Sequence, residues 1–198
     1  MPHRLADAAD VPAIAATLAL AFADDPVWGP VLRRPDGDTS HLEPFWRRFV
    51  EGALPYRTVW VVDDGDAVAV WLPSGEPEMT EQQFAEVEAV VDARLDAEQR
   101  RAFDGLMEAF ESNHPHGEPH MYLSLLASNP ARRGEGLGQR LLAENLRAFA
   151  ADGLPAYLES TNPENDRRYE RAGFRRVGGF TSPLDGAPIT TMWRALDA

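Results

Sequence analysis

The chain has 198 residues, 44% hydrophobic and 26% charged, which is typical of one globular domain and not of a fibrous or disordered protein. With 32 acidic and 19 basic side chains its formal charge is −13, which disfavours nucleic acid and anionic lipid as partners. The same charge would attract a cationic ligand, or would serve solubility alone. The chain contains no cysteine, so disulfides, thiolate nucleophiles and thiolate metal sites are excluded.

The location that we expect is the reducing cytoplasm, where proteins without disulfides are common. The N-terminus lacks the apolar core of a signal peptide, and no apolar run approaches the length that crosses a bilayer. We therefore expect no membrane association. No repeat, low-complexity tract or linker divides residues 1–198, so a single domain is predicted.

The first 118 residues predict helices around one β-hairpin. In chain order we expect a short strand near 3–6, helices at 10–24 and 39–54, strands at 58–62 and 67–72, and helices at 80–95 and from 96 to about 113. Asp64-Gly65 supplies the positive φ of a tight hairpin turn. Thr80 with Gln83, and Asp96 with Gln99, have capping-box spacing. Trp28 falls in an expected loop between the first two helices.

The remaining residues predict a βαβ unit followed by two further strands. We expect a strand at 121–127, a helix at 136–150, a strand at 156–160, a short helix holding Tyr169, and strands near 174–177 and 189–193. Apolar runs on both sides of the first helix indicate buried strands, which a crossover helix would join in parallel.

Glycines 134, 136 and 138 lie where the first of these strands leads into the helix. Side chains are missing there, so the free N–H groups of the helix N-terminus could close around a phosphate, and Arg132 and Arg133 add positive charge. Steric packing alone could also account for such glycines. The spacing is that of neither a P-loop nor a dinucleotide fingerprint.

Two motifs in this region resemble those of the GNAT superfamily of N-acetyltransferases. Residues 133–138, Arg-Gly-Glu-Gly-Leu-Gly, are similar to the family's Arg/Gln-x-x-Gly-x-Gly/Ala signature. Residues 158–165 and 169–174 resemble the C-terminal half of its CoA site. The resemblance implies an α/β fold with a mixed, largely antiparallel sheet flanked by helices and a central βαβ CoA-binding unit. Residues 1–118 would form the acceptor side and residues 119–198 the acetyl-CoA side.

Other segments are similar to the puromycin N-acetyltransferase-like branch of that superfamily. They are residues 21–26, 59–65, 67–71 and 117–120. The implied activity is transfer of acetyl from acetyl-CoA to an amine by direct attack on the thioester, which needs no covalent nucleophile and so agrees with the absence of cysteine.

The resemblance also implies a CoA site. Pantetheine would meet the main chain of Leu126, Ala127 and Ser128, and Asn162 and Asn165 would also contact CoA. The pyrophosphate would meet Arg133, Gly134, Glu135, Gly136, Leu137, Gly138 and Gln139. No metal is expected, because prolines and a glycine interrupt the spacing of the three histidines at 114, 116 and 120.

The catalytic residues are expected among three side chains. Tyr169 occupies the family's general-acid position and would protonate the departing thiolate; the alternative is an aromatic that packs the short helix. Residues 121–128 hold no carboxylate, so Glu159 is the first candidate for the general base and His120 the second. The alternatives are a structural hydrogen-bonding partner for Glu159 and a solvated loop residue for His120.

The acceptor is expected to be a small cationic amine held by Asp24, Asp25 and Trp28, because carboxylates attract ammonium groups and an aromatic face can hold them. A protein N-terminus or lysine, and a non-catalytic acyl-CoA-binding role, are the alternatives. The sequence leaves a homodimer open.

Overall fold

Alternating and continuous apolar runs form strands that assemble into one seven-stranded sheet, and amphipathic helices cover it. The computed structural model describes residues 3–196. The strands are β1 His3–Leu5, β2 Val59–Val62, β3 Ala67–Pro73, β4 Met121–Ser128, β5 Ala156–Ser160, β6 Arg175–Thr181 and β7 Pro188–Arg194. The helices are α1 Val11–Phe22, α2 Trp28–Leu32, α3 Leu42–Ala53, α4 Glu81–Arg94, α5 Ala97–Asn113, α6 Leu137–Ala151 and α7 Pro163–Arg171.

The strand order is β1-β2-β3-β4-β5-β7-β6. Only β4 and β5 are parallel, and α6 crosses between them, whereas the other neighbours are antiparallel. The predicted mixed, largely antiparallel sheet with a central βαβ unit is confirmed.

Two hydrophobic cores pack against this sheet. One contains Ile14 of α1, Phe45 of α3 and Phe103 of α5. The other contains Leu141 of α6 and Trp71 of β3, whose indole N–H donates to Asn145 at 3.0 Å. Helices α1, α3 and α5, from the first 118 residues, therefore cover one region of the sheet, and α6, from the remaining residues, covers another.

The predicted helix starts at Thr80 and Asp96 are confirmed, and each has both hydrogen bonds of a capping box. The loop predicted around Trp28 is wrong, because this residue begins the short helix α2. The carboxylate of Asp25 accepts hydrogen bonds from the main-chain N–H groups of Val27 at 2.9 Å and Trp28 at 3.0 Å. That pairing satisfies N–H groups at the start of α2 and lets five residues form a helix that shows no periodicity in the sequence.

Among the described residues, no helix is both long and apolar enough to cross a bilayer.

Candidate active site

The centre of the sheet opens because β4 diverges from β5. Their pairing ends at Leu123 and Leu158, although both strands continue. On the other edge of β4, Leu125 faces Val70 and Leu123 faces Trp71, so Ser124 is an extra residue without a partner on β3. Such a bulge bends a strand and increases its twist. The bend accounts for a wedge between the two parallel strands.

A cleft occupies this wedge, and we call it the inner cleft. Its walls combine aromatic and aliphatic side chains with a smaller set of polar groups, as is usual for small-molecule sites. The aromatic residues are Phe22, Trp28, Phe49, Phe110, Tyr122 and Tyr169, and the polar ones are Asp25, Glu78, Ser124, Glu159, Ser160, Thr161 and Asn165. Leu123, Leu125, Leu126, Leu158 and Met107 complete the lining.

The glycine-rich loop lies between the end of β4 and the start of α6. Gly136, with a φ of 69°, forms the N-cap, so a left-handed conformation is required there. A Cβ on Gly138 would lie 2.8 Å from the Ser128 hydroxyl oxygen, so a larger residue would require this hydroxyl to move. The Arg132 guanidinium is bound to Asp66 and Glu135, whereas Arg133 is exposed and makes no ion pair within residues 3–196. Of the two arginines, Arg133 is available to an anion.

The predicted pantetheine segment lies just beyond the last β4–β5 pair. Leu126, Ala127 and Ser128 pair with β3 on one edge and have no partner on β5. The edge of these three residues that faces away from β3 is therefore unpaired in the sheet, and Leu126 lines the inner cleft. Asn162 caps α7 by accepting the N–H of Glu164 at 3.0 Å, and Asn165 lines the inner cleft.

Tyr169 of α7 lines the inner cleft. It also packs on the core that contains Trp71 and Leu141, with its ring centre 6.1 Å from that of Phe174. Burial raises its pKa, and the nearby carboxylate of Asp25 adds to this effect. The phenol is therefore protonated at neutral pH and can donate a hydrogen bond. The Tyr169 side chain therefore both packs against the core and lines the inner cleft.

The three predicted acceptor residues differ in position. Asp24 has a side chain that is 94% exposed, pairs with Arg33 at 2.9 Å, and does not line the inner cleft. Asp25 lines the cleft but is buried, and besides the α2 N–H groups it accepts the Thr161 hydroxyl at 2.8 Å. Burial raises the pKa of Asp25. Trp28 is also buried and lines the cleft, stacked on Phe110 with ring centres 5.8 Å apart.

The two predicted general bases, Glu159 and His120, also differ in position. The Glu159 side chain is 2% exposed. Its carboxylate lies within hydrogen-bonding reach of the Tyr122 and Tyr157 phenols, so the predicted base role and the structural hydrogen-bonding role both stay predictions. His114 Nδ1 lies 3.7 Å from Glu159 Oε1. His120 is buried rather than solvated, with Nδ1 2.7 Å from the carbonyl oxygen of Glu118, and does not line the inner cleft. Burial lowers the pKa of His120.

A further carboxylate, which the sequence did not predict, lines the inner cleft. Glu78 lies in the loop between β3 and α4, and it accepts a hydrogen bond from the hydroxyl of Ser124, the extra residue of the bulge. Burial raises the pKa of Glu78 to about 7, and the charge of Glu159 raises it further, against the hydrogen bond from Ser124. A loop acid has no periodicity, and Glu78 is distant in sequence from β4 and β5, so no sequence signal identifies it.

A second cleft, which we call the outer cleft, adjoins the first. It is lined by residues 72–78 after β3, by α5, and by residues 114–119 before β4. Glu78, Met107, Phe110 and Tyr122 line both clefts. Glu78 therefore stands where the two clefts meet.

The model of the "Acetyltransferase (GNAT) family" matches residues 32–174, which include the bulge, the glycine-rich loop and all of α7. The chain belongs to the GNAT acetyltransferase family. Over 73 residues it is 37% identical to "Acetyltransferase Atu2258" of Agrobacterium fabrum. The matched segment spans 35% of this chain and 52% of that relative, about half its length.

Solved structures share the GNAT fold over nearly the whole chain. One, titled "histone acetyltransferase HPA2 and related acetyltransferase" from Corynebacterium glutamicum, is 25% identical with a TM-score of 0.71, covering 99% of this chain and 96% of that one. Another is arylalkylamine N-acetyltransferase 2 from Aedes aegypti, 15% identical with a TM-score of 0.67, covering 99% of both chains. At this low identity the second comparison shows the fold alone.

Proposed function

We propose that the protein is an acetyl-CoA-dependent N-acetyltransferase that acetylates the amine of a small molecule by direct attack on the thioester. The observation that carries the proposal is the inner cleft, which brings the Glu78 carboxylate and the Tyr169 phenol together where β4 leaves β5. A carboxylate with a pKa of about 7 is matched to proton abstraction near neutral pH, and a protonated phenol is a suitable donor.

In this mechanism Glu78 replaces Glu159 and His120 as the general base. An acceptor ammonium gives one proton to Glu78, and the neutral nitrogen then forms a bond to the acetyl carbon. As the carbon–sulfur bond breaks, the Tyr169 hydroxyl gives its proton to the departing sulfur. The nitrogen loses its second proton to solvent as the amide forms, and solvent returns a proton to Tyr169. Glu159 would act through Glu78, because its negative charge favours the protonated form of that neighbour.

Acetyl-CoA is the proposed donor, as the family implies. The pyrophosphate would lie at the N-terminus of α6, against Arg133, Gly134, Glu135, Gly136, Leu137, Gly138 and Gln139. The unpaired edge of Leu126, Ala127 and Ser128 would bind pantetheine, with Asn162 and Asn165 beside it. The left-handed Gly136 and the exposed Arg133 support this placement, because main-chain N–H groups and a positive charge both favour a phosphate.

The acceptor would enter from the side of the core that contains Ile14, Phe45 and Phe103. The aromatic lining around Trp28 supports an amine carried on an apolar group, and a fold neighbour is named as an arylalkylamine N-acetyltransferase. Asp25 is proposed to shape this wall and not to pair with the amine, since its carboxylate already accepts three hydrogen bonds. Membership of the puromycin N-acetyltransferase-like branch, one domain over residues 1–198 and a cytoplasmic location are retained as predictions.

The test is release of CoA thiol from acetyl-CoA in the presence of a panel of amines, aminoglycosides, nucleoside antibiotics and peptides. We expect turnover with at least one small amine, and a decrease in kcat of roughly ten- to a thousandfold in Glu78→Gln. Glu81→Gln is the matched control, because Glu81 is an exposed acid at the start of α4. Binding of acetyl-CoA without turnover would favour the non-catalytic alternative. Turnover of peptides alone would favour a protein or peptide acceptor.

A further inference from the structure

The helix α7, which holds Tyr169, is packed lightly for an element of the proposed reaction site. None of its nine residues, all of which the structure describes, is buried. Polar contacts from β7 hold it instead. The Thr190 hydroxyl donates to the Asp166 carboxylate at 3.0 Å. Arg194 Nε donates to the carbonyl oxygen of Ala172 at 3.2 Å. With so little apolar burial, the position of α7 depends on contacts of this kind.

The start of α7 is joined to the first 118 residues by a hydroxyl–carboxylate hydrogen bond. Thr161, in the connection between β5 and α7, donates to Asp25 Oδ2 at 2.8 Å. The other carboxylate oxygen of Asp25 accepts the main-chain N–H groups of Val27 and Trp28. Asp25 is buried, and hydrogen bonds to a carboxylate are stronger than those between neutral groups. One side chain therefore ties the start of α7 to the start of α2.

This tie lies beside the Tyr169 phenol. Asn165 and Tyr169 are four residues apart and so share one face of α7, and both line the inner cleft together with Asp25 and Thr161. A helical side chain points back toward the N-terminus of its helix, so the phenol extends toward the end of α7 that Asp25 and Thr161 hold. Burial raises the pKa of Tyr169, and the charge of Asp25 adds to this rise, which is consistent with a short separation.

We propose that Asp25 is a positioning residue for the general acid: through Thr161 it fixes the start of α7, and so fixes the distance between the Tyr169 hydroxyl and the departing sulfur. The inference rests on the proposed function, in which Tyr169 protonates the thiolate. Asp25 itself transfers no proton. Proton transfer depends steeply on the distance between donor and acceptor, so a small displacement of α7 lowers kcat without removing a catalytic group.

The experiment removes the Thr161 hydroxyl in two backgrounds. Thr161→Val has nearly the same shape but cannot donate a hydrogen bond. We expect kcat for the amine of the panel that is acetylated fastest to fall about tenfold, with smaller changes in both KM values. Thr161→Ser keeps a hydroxyl and should restore most of kcat. The Tyr169→Phe background has no phenol to position, so there Thr161→Val should lower kcat by less than about twofold.

Asp25→Asn is a second variant, and it keeps the hydrogen bonds to α2. Its amide oxygen can accept the N–H groups of Val27 and Trp28, while its NH2 group replaces Oδ2 and faces Thr161. The bond to Thr161 then loses its charged partner, so we expect a smaller decrease in kcat that is likewise absent in the Tyr169→Phe background. This variant decides the question if Thr161→Val does not fold.

Thr17→Val is the matched control for loss of a hydroxyl hydrogen bond. Thr17 donates to the carbonyl oxygen of Gly65 at 2.7 Å, joins positions 48 residues apart and lines neither cleft. The substitution should lower Tm and leave kcat unchanged. A decrease in kcat as large as that in Thr161→Val would overturn the inference, because a general loss of stability would then explain both.

The remaining outcomes separate the inference from the proposed function. Effects of Thr161→Val and Tyr169→Phe that multiply would overturn the inference, since Thr161 would then act elsewhere. It would also be overturned by an unchanged kcat in Thr161→Val or in Tyr169→Phe, or by a Thr161→Ser variant as slow as Thr161→Val. In each of these cases turnover of a small amine would leave the proposed transferase activity standing. Absence of turnover with every amine would refute the proposed function, and the inference with it.

Discussion

Replacing Glu78 with Gln tests the central assignment through stability as well as activity. The amide keeps an oxygen that can accept the Ser124 hydrogen bond but cannot ionise. Burial raises the pKa of Glu78 from 4.5 to about 7, so the folded state favours the protonated carboxyl. The stability that the protonated Glu78 carboxyl contributes to the folded state is complete below pH 4.5 and is lost as the pH rises through 7.

The size of the effect follows from the two pKa values. A difference of about 2.5 units corresponds to about 3 kcal/mol, and water entering the open cleft reduces this to about 1–3 kcal/mol. The Glu78→Gln variant has no carboxyl to ionise at this position, so it does not lose this stability as the pH rises. Its free energy of unfolding should therefore increase relative to wild type between pH 4.5 and pH 8 by that amount.

Urea unfolding at pH 4.5, 6 and 8 measures the difference, with Glu81→Gln as the control for removal of an exposed charge. The kcat/KM of wild type should rise to a plateau with an apparent pKa near that of Glu78, about 7, and this rise should be absent in Glu78→Gln. A stability difference between Gln variant and wild type that does not change with pH would refute the raised pKa. Unchanged kcat, where chemistry limits the rate, would refute the role as base.

Three further predictions concern the other parts of the site. Tyr169→Phe should lower kcat by roughly ten- to a thousandfold in thiol-release assays, with acetyl-CoA affinity nearly unchanged, and an unaffected kcat would leave Tyr169 with packing alone. Gly136→Val should abolish the rise in Tm that acetyl-CoA causes in wild type, because a β-branched side chain cannot easily adopt a φ of 69°; a retained shift would argue against phosphate binding at α6. Asp24→Asn should leave acceptor KM unchanged, whereas Trp28→Ala should raise it, and the reverse result would return Asp24 to the acceptor site.

The fold could be predicted where its signals are local. Capping boxes at Thr80 and Asp96 depend on side chains three residues apart, and the hairpin at 59–73 depends on adjacent turn residues, so tertiary context does not alter them. The short helix α2 has no such local signal, because its first N–H groups are satisfied by Asp25, which precedes the helix and is held in place by Thr161 from the other half of the chain.

The sequence by itself determined the βαβ unit, the glycine loop and the position of Tyr169, because each is encoded within a continuous segment. Only the tertiary structure decided which carboxylates line the inner cleft, where we propose that the reaction takes place. Glu78 and Ser124 are 46 residues apart in sequence, and they meet because a bulge turns Ser124 toward a loop from the other half of the chain. The raised pKa of Glu78 also depends on the tertiary structure, because folding buries this carboxyl and brings the charge of Glu159 close to it.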